Sequence, residues 1–459
     1  TPGYAKVNGA KAVLKLSFST FSNKLTFADI KPEKIRLYLK GQSQHVNPLY
    51  ELLLKDGLAL VMHIPATGES IFLNNNSIQS VGFGIDDALL PYPPASFVGY
   101  RLLTEYFLFP EKFMFIDIVN LIQFMPATAG HQIEIYIYLT TTNIELEHNI
   151  SKDMFVLGAT PGINLFPLRA DPIKLDHLNS EFQIEPESRR PKSYEVYSVD
   201  KVTTTSSTGE QECLPLYGLN HKQLDTASGV FWLASRRPAT MNTVTRDEAT
   251  DVFLSLVDLH FNPDLPEGRT LIVDTLCSNR NLPEKLPYSS TQPKLQCVDI
   301  APPCVNIRCL TQPSATVRPA LGNHARWRLI SHLNLNHLSL AGGESATKAL
   351  KEILRLYDFK ESSVTRSLID AIVSVQIKSI SAPLTIDGHA AMCRGSEIEI
   401  ILDDRQLTGS SAYLFASILE HFFALYCSIN SFTRVLVKLK NREGYLKKCP
   451  PRAGEKIFL

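Results

Sequence analysis

The sequence predicts a β-rich α+β protein that is built from several domains. Short segments in which apolar and polar residues alternate recur from the start of the chain to about residue 320, and this is the period of half-buried strands. The last part of the chain instead mixes strands with helices, one of which has a wide apolar arc. At 459 residues the chain is too long for one ordinary core, so we expect roughly two to four domains.

We place the domain boundaries where composition changes. Residues 1–145 form a predicted β-rich domain, which includes a proline arm and a helix at 89–118. Residues 146–282 form a β-dominated middle domain, and the proline-punctuated stretch 283–321 is a predicted linker. Residues 322–459 then form a C-terminal α+β domain.

The first domain is predicted to consist mainly of strands. One alternating segment, HQIEIYIYLTT at 131–141, is so regular that Ile133, Ile135, Ile137 and Leu139 must share one face. Two further segments alternate in the same way, and a short helix, NPLYELLLKD, follows them. The two strands are AVLKLSFSTF at 12–21 and KIRLYLKG at 34–41.

The stretch 89–118 reads as an extended arm, a helix and a strand. The prolines of PYPP at 91–94 exclude helix and sheet, because each lacks an amide donor and restrains the preceding residue to extended geometry. Ser96 is the predicted N-cap of a helix that ends at Pro110. KFMFIDI, which follows, has the composition of a strand.

The middle and C-terminal domains differ in pattern. Residues 150–320 are predicted to be β-dominated, with TTTSSTGEQE at 203–212 as the most mobile loop. In the C-terminal domain a helix over SATKALKEILRLYDF has Ser345 as its candidate cap. The elements after it are predicted to complete a small α+β sandwich: strands AIVSVQIKSIS and SEIEIILDD, helix SSAYLFASILEHFFALYCSI and strand TRVLVKLK.

Composition excludes several classes of partner and location. Lys plus Arg equals Asp plus Glu at 46 each, so no net field attracts nucleic acid over long range. The eight cysteines lack the close pairing of a disulfide-rich module, which favours a reducing cytosol. No apolar run reaches the roughly 18 to 20 residues of a membrane-spanning helix, so we expect no direct membrane insertion.

No pattern of catalytic or ligand-binding residues is complete. The chain has no P-loop, HExxH or GxSxG motif. The cysteines at 277, 297, 304 and 309 are spaced too widely for an ordinary zinc site, and His332 and His337 lie on opposite faces of a strand. The adjacent Asp403 and Asp404 suit a solvated turn better than a metal site. We therefore predict no cofactor, no metal and no enzymatic activity.

Two alternatives remain open at this point. A cell-wall or carbohydrate-processing β enzyme could use a carboxylate pair among Asp258, Asp264, Glu267 and Asp274, although solvated turns explain these residues as well. A module that binds a small ligand is the second alternative.

Several long strings in the chain resemble the TssF family, also called ImpG or VasA, whose members are baseplate wedge subunits of the bacterial type VI secretion system. The resemblance runs in order from about Gly82 to the last residue, whereas residues 1–81 fit by pattern alone. Family members carry an additional N-terminal segment that this chain lacks. The strings are GFGIDDALLPYPPASFVGYRLLTEYFLFPEKFMFIDI, NLFPLRADPIKLDH, RRPKSYEVYSVDKV, SLVDLHFNP, RWRLISHLNLNHLSL, EILRLYDF, FFALYCSINSFTRVLVK and REGYLKKCPPRAGEKIFL.

The resemblance implies a scaffold protein. Members of the family join two copies to one TssG subunit in a wedge, and wedges surround the spike hub beneath a contractile sheath. The wedge also contacts TssK and TssE and supports sheath assembly. Such a protein is expected in the bacterial cytoplasm, docked at the inner face of the inner membrane through the secretion complex.

The proline arm supplies the candidate partner-binding residues. An extended arm that carries tyrosines offers a partner a rigid contact surface with little entropy to lose, and aromatic residues are enriched in such contacts. The alternative is that the large apolar residues of this stretch are ordinary core: Phe97, Leu103, Tyr106, Phe107, Phe109 and Phe113. The candidate partner-binding residues are Tyr92, Pro93, Pro94, Tyr100 and Arg101.

Overall fold

The computed structural model shows two compact units. One combines Thr1–Gly162 with Arg326–Leu459, and the other is Ile163–Ala325. The first of these units includes most of the predicted segments 1–145 and 322–459. The residues that the structure describes are 7–22, 24–73, 75–92, 98–176, 179–206, 209–217, 230–239, 249–258, 269–288, 295–298, 307–318, 321, 326–327, 330, 343–386, 389–407, 409–425, 427 and 431–453.

The N-terminal part of the first unit contains two four-stranded sheets and five helices among its described residues. The strand order is β1-β7-β3-β4 in one sheet and β5-β6-β2-β8 in the other. The strands are β1 (Ala12–Ser19), β2 (Ile35–Leu39), β3 (Gly57–Ile64), β4 (Glu69–Leu73), β5 (Ile78–Ser80), β6 (Phe115–Ile118), β7 (Gln132–Leu139) and β8 (Phe155–Leu157). The helices are α1 (Phe27–Ile30), α2 (Ser43–Lys55), α3 (Val98–Leu108), α4 (Leu121–Phe124) and α5 (Ile144–Asn149).

The strands predicted from alternation in this part of the chain are confirmed. Strand β7 lies between β1 and β3, and its residues Ile133, Ile135 and Ile137 are fully buried on one face, as expected. The opposite face is also covered, because Tyr136 and Tyr138 pack together with Val61 of β3. Strand β7 is thus a central strand that is buried on both faces.

The second unit is β-rich, and the eight strands among its described residues form one sheet. Their order is β10-β16-β12-β13-β14-β15-β11, with β9 paired to β16. The core of this unit consists of aliphatic residues and cysteines, such as Val202, Leu254 and Val273. The strands are β9 (Phe166–Arg169), β10 (Ile173–Lys174), β11 (Phe182–Gln183), β12 (Glu195–Ser206), β13 (Gly209–Pro215), β14 (Val230–Pro238), β15 (Thr250–Asp258) and β16 (Thr270–Ser278).

One prediction in the second unit is wrong. TTTSSTGEQE is not a loop: Thr203 to Ser206 pair antiparallel with Gly209 to Glu212, since β-branched threonines favour strands despite their polarity. The described parts of the proline-rich stretch 283–321, which we predict to be a linker, contact each other and the rest of this unit. Tyr288 donates to the Leu310 carbonyl, and Arg318 forms an ion pair with the buried Glu195 at 2.6 Å.

The C-terminal part of the first unit has the predicted mixture of strands and helices. Its sheet has the order β17-β18-β19-β20, and β21 pairs with β19. Its elements are α6 (Glu344–Arg355), α7 (Ser363–Asp370), β17 (Ile372–Ile386), β18 (His389–Leu402), α8 (Ala412–Leu425), β19 (Ser431–Leu439), β20 (Tyr445–Lys448) and β21 (Arg452–Ala453). Phe415, Phe422 and Phe423 of α8 are fully buried, as the wide apolar arc of that helix predicted.

The predicted cap of α6 is wrong by two residues. Gly343 is the N-cap, and Ser345 lies inside the helix. Gly343 has a φ of 83°, a backbone conformation that glycine adopts at little cost, and the helix therefore begins before the serine. No helix in the described ranges has both the length and the apolar character needed to cross a membrane.

Candidate partner-binding surface

Helix α3 is the framework of the candidate surface. Its apolar side packs on α8, where the rings of Tyr106 and Phe415 lie nearly parallel with their centroids 6.0 Å apart. Leu103, Tyr106 and Phe107 are buried, as is Phe113 just after the helix. The interpretation of these residues as core is confirmed, while Phe97 lies outside the described residues and Phe109 is half-buried.

Three charged side chains lie buried beside this apolar contact. Glu105 and Arg101 are on α3, and Lys112 is in the 3₁₀ turn Pro110–Phe113. Lys112 donates to Glu105 Oε2, and Arg101 Nε lies 4.0 Å from Glu105 Oε1. Burial lowers the pKa of Lys112, and the neighbouring Glu105 carboxylate opposes that shift. The Glu105 carboxylate thus compensates part of the positive charge of these two basic groups inside the protein.

The stretch 82–92 leads into the proline-rich segment predicted from the sequence, and it runs over these buried charges. From here on, "the arm" means residues 82–92. Its backbone is held at several points: the Leu89 and Leu90 amides donate to Glu105, and the Gly82 amide donates to Asp87 Oδ2 at 3.1 Å. The Phe83 ring stacks on His421 of α8, with the centroids 4.4 Å apart. The arm is therefore attached to the core along its length.

The predicted site residues fall into three groups. Tyr92 and Tyr100 are half-buried at the surface, and burial raises the pKa of Tyr92, a shift that a hydrogen bond with Thr104 partly offsets. Arg101 is only 4% exposed and donates from Nη2 to the Gly84 carbonyl at 3.1 Å. It therefore holds the arm from inside. Pro93 and Pro94 lie outside the described residues.

The structure adds two aromatic residues that sequence reasoning did not assign to the site. Tyr357 follows α6 and is buried; burial raises its pKa, and the nearby phenols of Tyr100 and Tyr92 raise it further. Phe359 is 37% exposed and meets the Tyr357 ring edge to face, with centroids 6.4 Å apart. We call these four residues, Tyr92, Tyr100, Tyr357 and Phe359, the aromatic patch.

A hydrogen bond joins the two chain segments that carry the patch. Lys360, next to Phe359, donates from Nζ to the Leu108 carbonyl at the end of α3, at 2.9 Å. This bond satisfies one of the carbonyls that a helix leaves unpaired at its C-terminus. The sequence signal for the C-terminal contribution was the aromatic pair in EILRLYDF, whose position relative to α3 depends on tertiary packing alone.

Several other candidate residues from the sequence can be located within the described ranges. In those ranges no three His, Cys, Asp or Glu side chains are grouped as metal ligands. Asp274, one carboxylate of the enzyme alternative, forms an exposed ion pair with Arg169 at 2.7 Å. Asp403 caps a 3₁₀ turn by accepting from the Arg405 amide, as a turn residue does. Asp264, Glu267, Cys304, His332 and His337 lie outside the described residues.

Comparisons with known proteins agree on one family. The sequence profile of the family described as "Type VI secretion system, TssF" matches residues 1–456. The protein named type VI secretion system component TssF1 of Pseudomonas aeruginosa PAO1 is 30% identical over 440 residues. That alignment covers 94% of this chain and 71% of the relative.

Two solved structures share the fold. One is a chain from the cryo-electron microscopy structure of the type VI secretion system TssK-TssF-TssG baseplate subcomplex, with 25% identity and a TM-score of 0.76. The match covers 97% of this chain and 79% of that chain. A chain of the type VI secretion system baseplate complex has 22% identity and a TM-score of 0.55, with coverage of 92% and 70%.

Proposed function

The chain belongs to the TssF family of the type VI secretion system, and on that basis we propose that it is a structural subunit of the baseplate wedge and not an enzyme. Two copies join one TssG in a wedge, and the wedge contacts TssK, TssE and the spike hub to support sheath assembly. The protein works in the bacterial cytoplasm, docked at the inner face of the inner membrane through the secretion complex. The similarity to a chain of the TssK-TssF-TssG baseplate subcomplex supports TssG and TssK as partners.

The aromatic patch is the contact surface that we assign to this role, with Tyr92 and Tyr100 at its centre. The observation that supports it is the convergence of half-buried and exposed aromatic rings from two distant chain segments on a firmly held framework. Tyrosine and phenylalanine bury large area with few rotatable bonds, so they bind partners at a low entropic cost. A surface that is already ordered before binding loses less freedom on association.

Co-expression with TssG and TssK of the same organism tests the role of the patch. Tyr92→Ala and Phe359→Ala should each weaken or abolish co-purification of TssG, since truncating an interface aromatic costs about 1 to 4 kcal/mol of binding free energy. Phe21→Ala is the matched control, because Phe21 is fully exposed and lies outside the patch. If both patch variants assemble like the control, the patch is not the contact surface.

The stoichiometry and the lack of catalysis have separate tests. Native mass spectrometry of the purified complex should give two copies of this chain for each TssG, and a one-to-one complex would contradict the proposed wedge.

Assays of peptidoglycan and polysaccharide hydrolysis should show no activity above buffer. A hydrolytic rate that disappears when a single carboxylate is changed would favour the enzyme alternative instead.

A further inference from the structure

The buried charges beneath the arm have a role that the aromatic patch alone does not explain. Arg101, Glu105 and Lys112 are 4%, 3% and 1% exposed, respectively. Removing such groups from water is costly, and apolar side chains of similar size commonly give an equally stable core. Arg101 and Glu105 also make hydrogen bonds with the arm, and those bonds suggest their role.

The arm needs hydrogen-bond partners for its backbone. Residues 82–92 contain neither helix nor strand, so their amides and carbonyls have no regular ladder to join. Glu105 Oε1 accepts from the Leu89 amide at 2.8 Å and from the Leu90 amide at 2.9 Å. Glu105 is therefore the side chain that replaces a neighbouring strand at the end of the arm.

The second carboxylate oxygen of Glu105 is used as well. Oε2 accepts from Lys112, which approaches from the 3₁₀ turn after α3. The side chain thus accepts hydrogen bonds on both oxygens, from the arm and from the core. A glutamine offers one acceptor oxygen and one donor amide, and so cannot serve both at once.

We propose that Glu105 is a positioning residue that latches the arm and so sets the place of Tyr92 in the partner-binding surface. The latch rests on the proposed function, because it presumes that Tyr92 contacts a baseplate partner. Leu90 is fixed by Glu105, and Pro91 has a restricted φ. Only this one constrained residue separates the latch from Tyr92, so holding Leu90 restricts the positions that Tyr92 can reach.

The test compares Glu105→Gln with Glu420→Gln. Glu420 is also 3% exposed and also binds two basic groups, but these are Lys447 of β20 and Arg452 of β21 and not the arm, so its variant is a control for losing a buried charge. Hydrogen exchange is read on a peptide that spans the arm, and TssG affinity is measured below the melting temperatures of both variants.

We expect Glu105→Gln to speed exchange of the Leu89 and Leu90 amides by about tenfold or more. We expect it to weaken TssG binding by about ten- to a hundredfold, while Glu420→Gln changes neither quantity. In a Tyr92→Ala background the further loss of affinity from Glu105→Gln should shrink to less than about threefold, because the latch acts through Tyr92. Glu105→Asp keeps the charge but is too short to reach both the arm amides and Lys112, so it should have the same effects as Glu105→Gln. It replaces Glu105→Gln in these measurements if that variant fails to fold.

The outcomes separate the latch from the proposed contact surface. Unchanged exchange of the arm amides in both Glu105 variants overturns the latch. Faster exchange with wild-type TssG affinity overturns the positioning role. Wild-type affinity in Tyr92→Ala and Phe359→Ala overturns the proposed contact surface, whatever the exchange experiment gives.

Discussion

Gly395 in β18 occupies a position at which a side chain has no space. A Cβ there would lie 2.5 Å from Cδ1 of Phe432 and 2.6 Å from the Phe432 carbonyl oxygen on β19. The carbonyl belongs to the parallel β18–β19 ladder, so rotating the phenylalanine cannot relieve the clash. We expect Gly395→Ala to lower the free energy of unfolding by roughly 1 to 3 kcal/mol, measured by urea denaturation.

The control for this prediction is Gly162→Ala, because a Cβ at Gly162 meets no atom within 4 Å. It should leave the free energy of unfolding nearly unchanged. Equal effects of the two substitutions would mean that loss of glycine flexibility, and not contact with Phe432, determines the result.

His421 makes stability depend on pH. Burial, with Arg452 nearby, lowers its pKa to about 4, and its Nδ1 donates to the Ser417 carbonyl. The unfolded state, with a histidine pKa of about 6.5, binds a proton first as the pH falls. The free energy of unfolding should therefore decrease between about pH 6.5 and 4, by about 3 kcal/mol at most.

Urea denaturation at several pH values checks this dependence, and His421→Gln should remove it in that window. Glu420 acts at lower pH: burial would raise its pKa, but Lys447 and Arg452 outweigh burial and hold it at about 2. Its contribution is present above about pH 4.5 and is lost as the pH falls towards 2. An unchanged slope between pH 6.5 and 4.5 in His421→Gln would assign the dependence to other groups.

At the scale of elements, α8 is the helix on which much of the first unit packs. Phe422 is fully buried, so Phe422→Ala should lower the free energy of unfolding of the full chain by about 3 to 5 kcal/mol. Phe21→Ala removes the same atoms from an exposed side chain and should change it by less than about 0.5 kcal/mol. Thermal or urea melting that fails to separate the two variants would contradict the burial of α8.

Strand and helix types were largely predictable because burial imposes a period on the sequence. The alternation in β1 and β7 and the apolar arc of α8 each identified their element. The hairpin of β12 and β13 was missed because threonines and glutamates resemble a polar loop until the pairing is known. Polarity separates strand from loop poorly where a strand has little apolar content.

The candidate surface was predictable only in part, for the same physical reason. Tyr92 and Tyr100 could be chosen from the sequence, because they lie within or shortly after the proline-rich segment PYPP. Tyr357 and Phe359 could not, since their place beside α3 depends on the packing of a distant segment. Arg101 was chosen as a surface residue, and only its contacts with Glu105 and Gly84 show that it points inward.

At the scale of the whole molecule, the first unit is discontinuous in sequence. Because α3 packs on α8, neither Thr1–Gly162 nor Arg326–Leu459 covers its apolar surface alone. We expect each piece expressed separately to lack a cooperative melting transition and the two to associate when co-expressed. Ile163–Ala325 should melt cooperatively by itself, as its strands share one core. A cooperative melting transition of the isolated C-terminal piece would instead support the independent C-terminal domain predicted from the sequence.

The discontinuous first unit also has a consequence for synthesis on the ribosome. The 163 residues of Ile163–Ala325 must be translated between the two parts of that unit, which takes roughly 10 to 30 s at bacterial elongation rates. During that time the α8-facing side of α3, with Leu103 and Tyr106, has no partner and is open to aggregation or to a chaperone. The inserted unit can fold while the chain is still being synthesised. The yield of native protein then depends on how far aggregation through the exposed side of α3 is prevented before α8 is made.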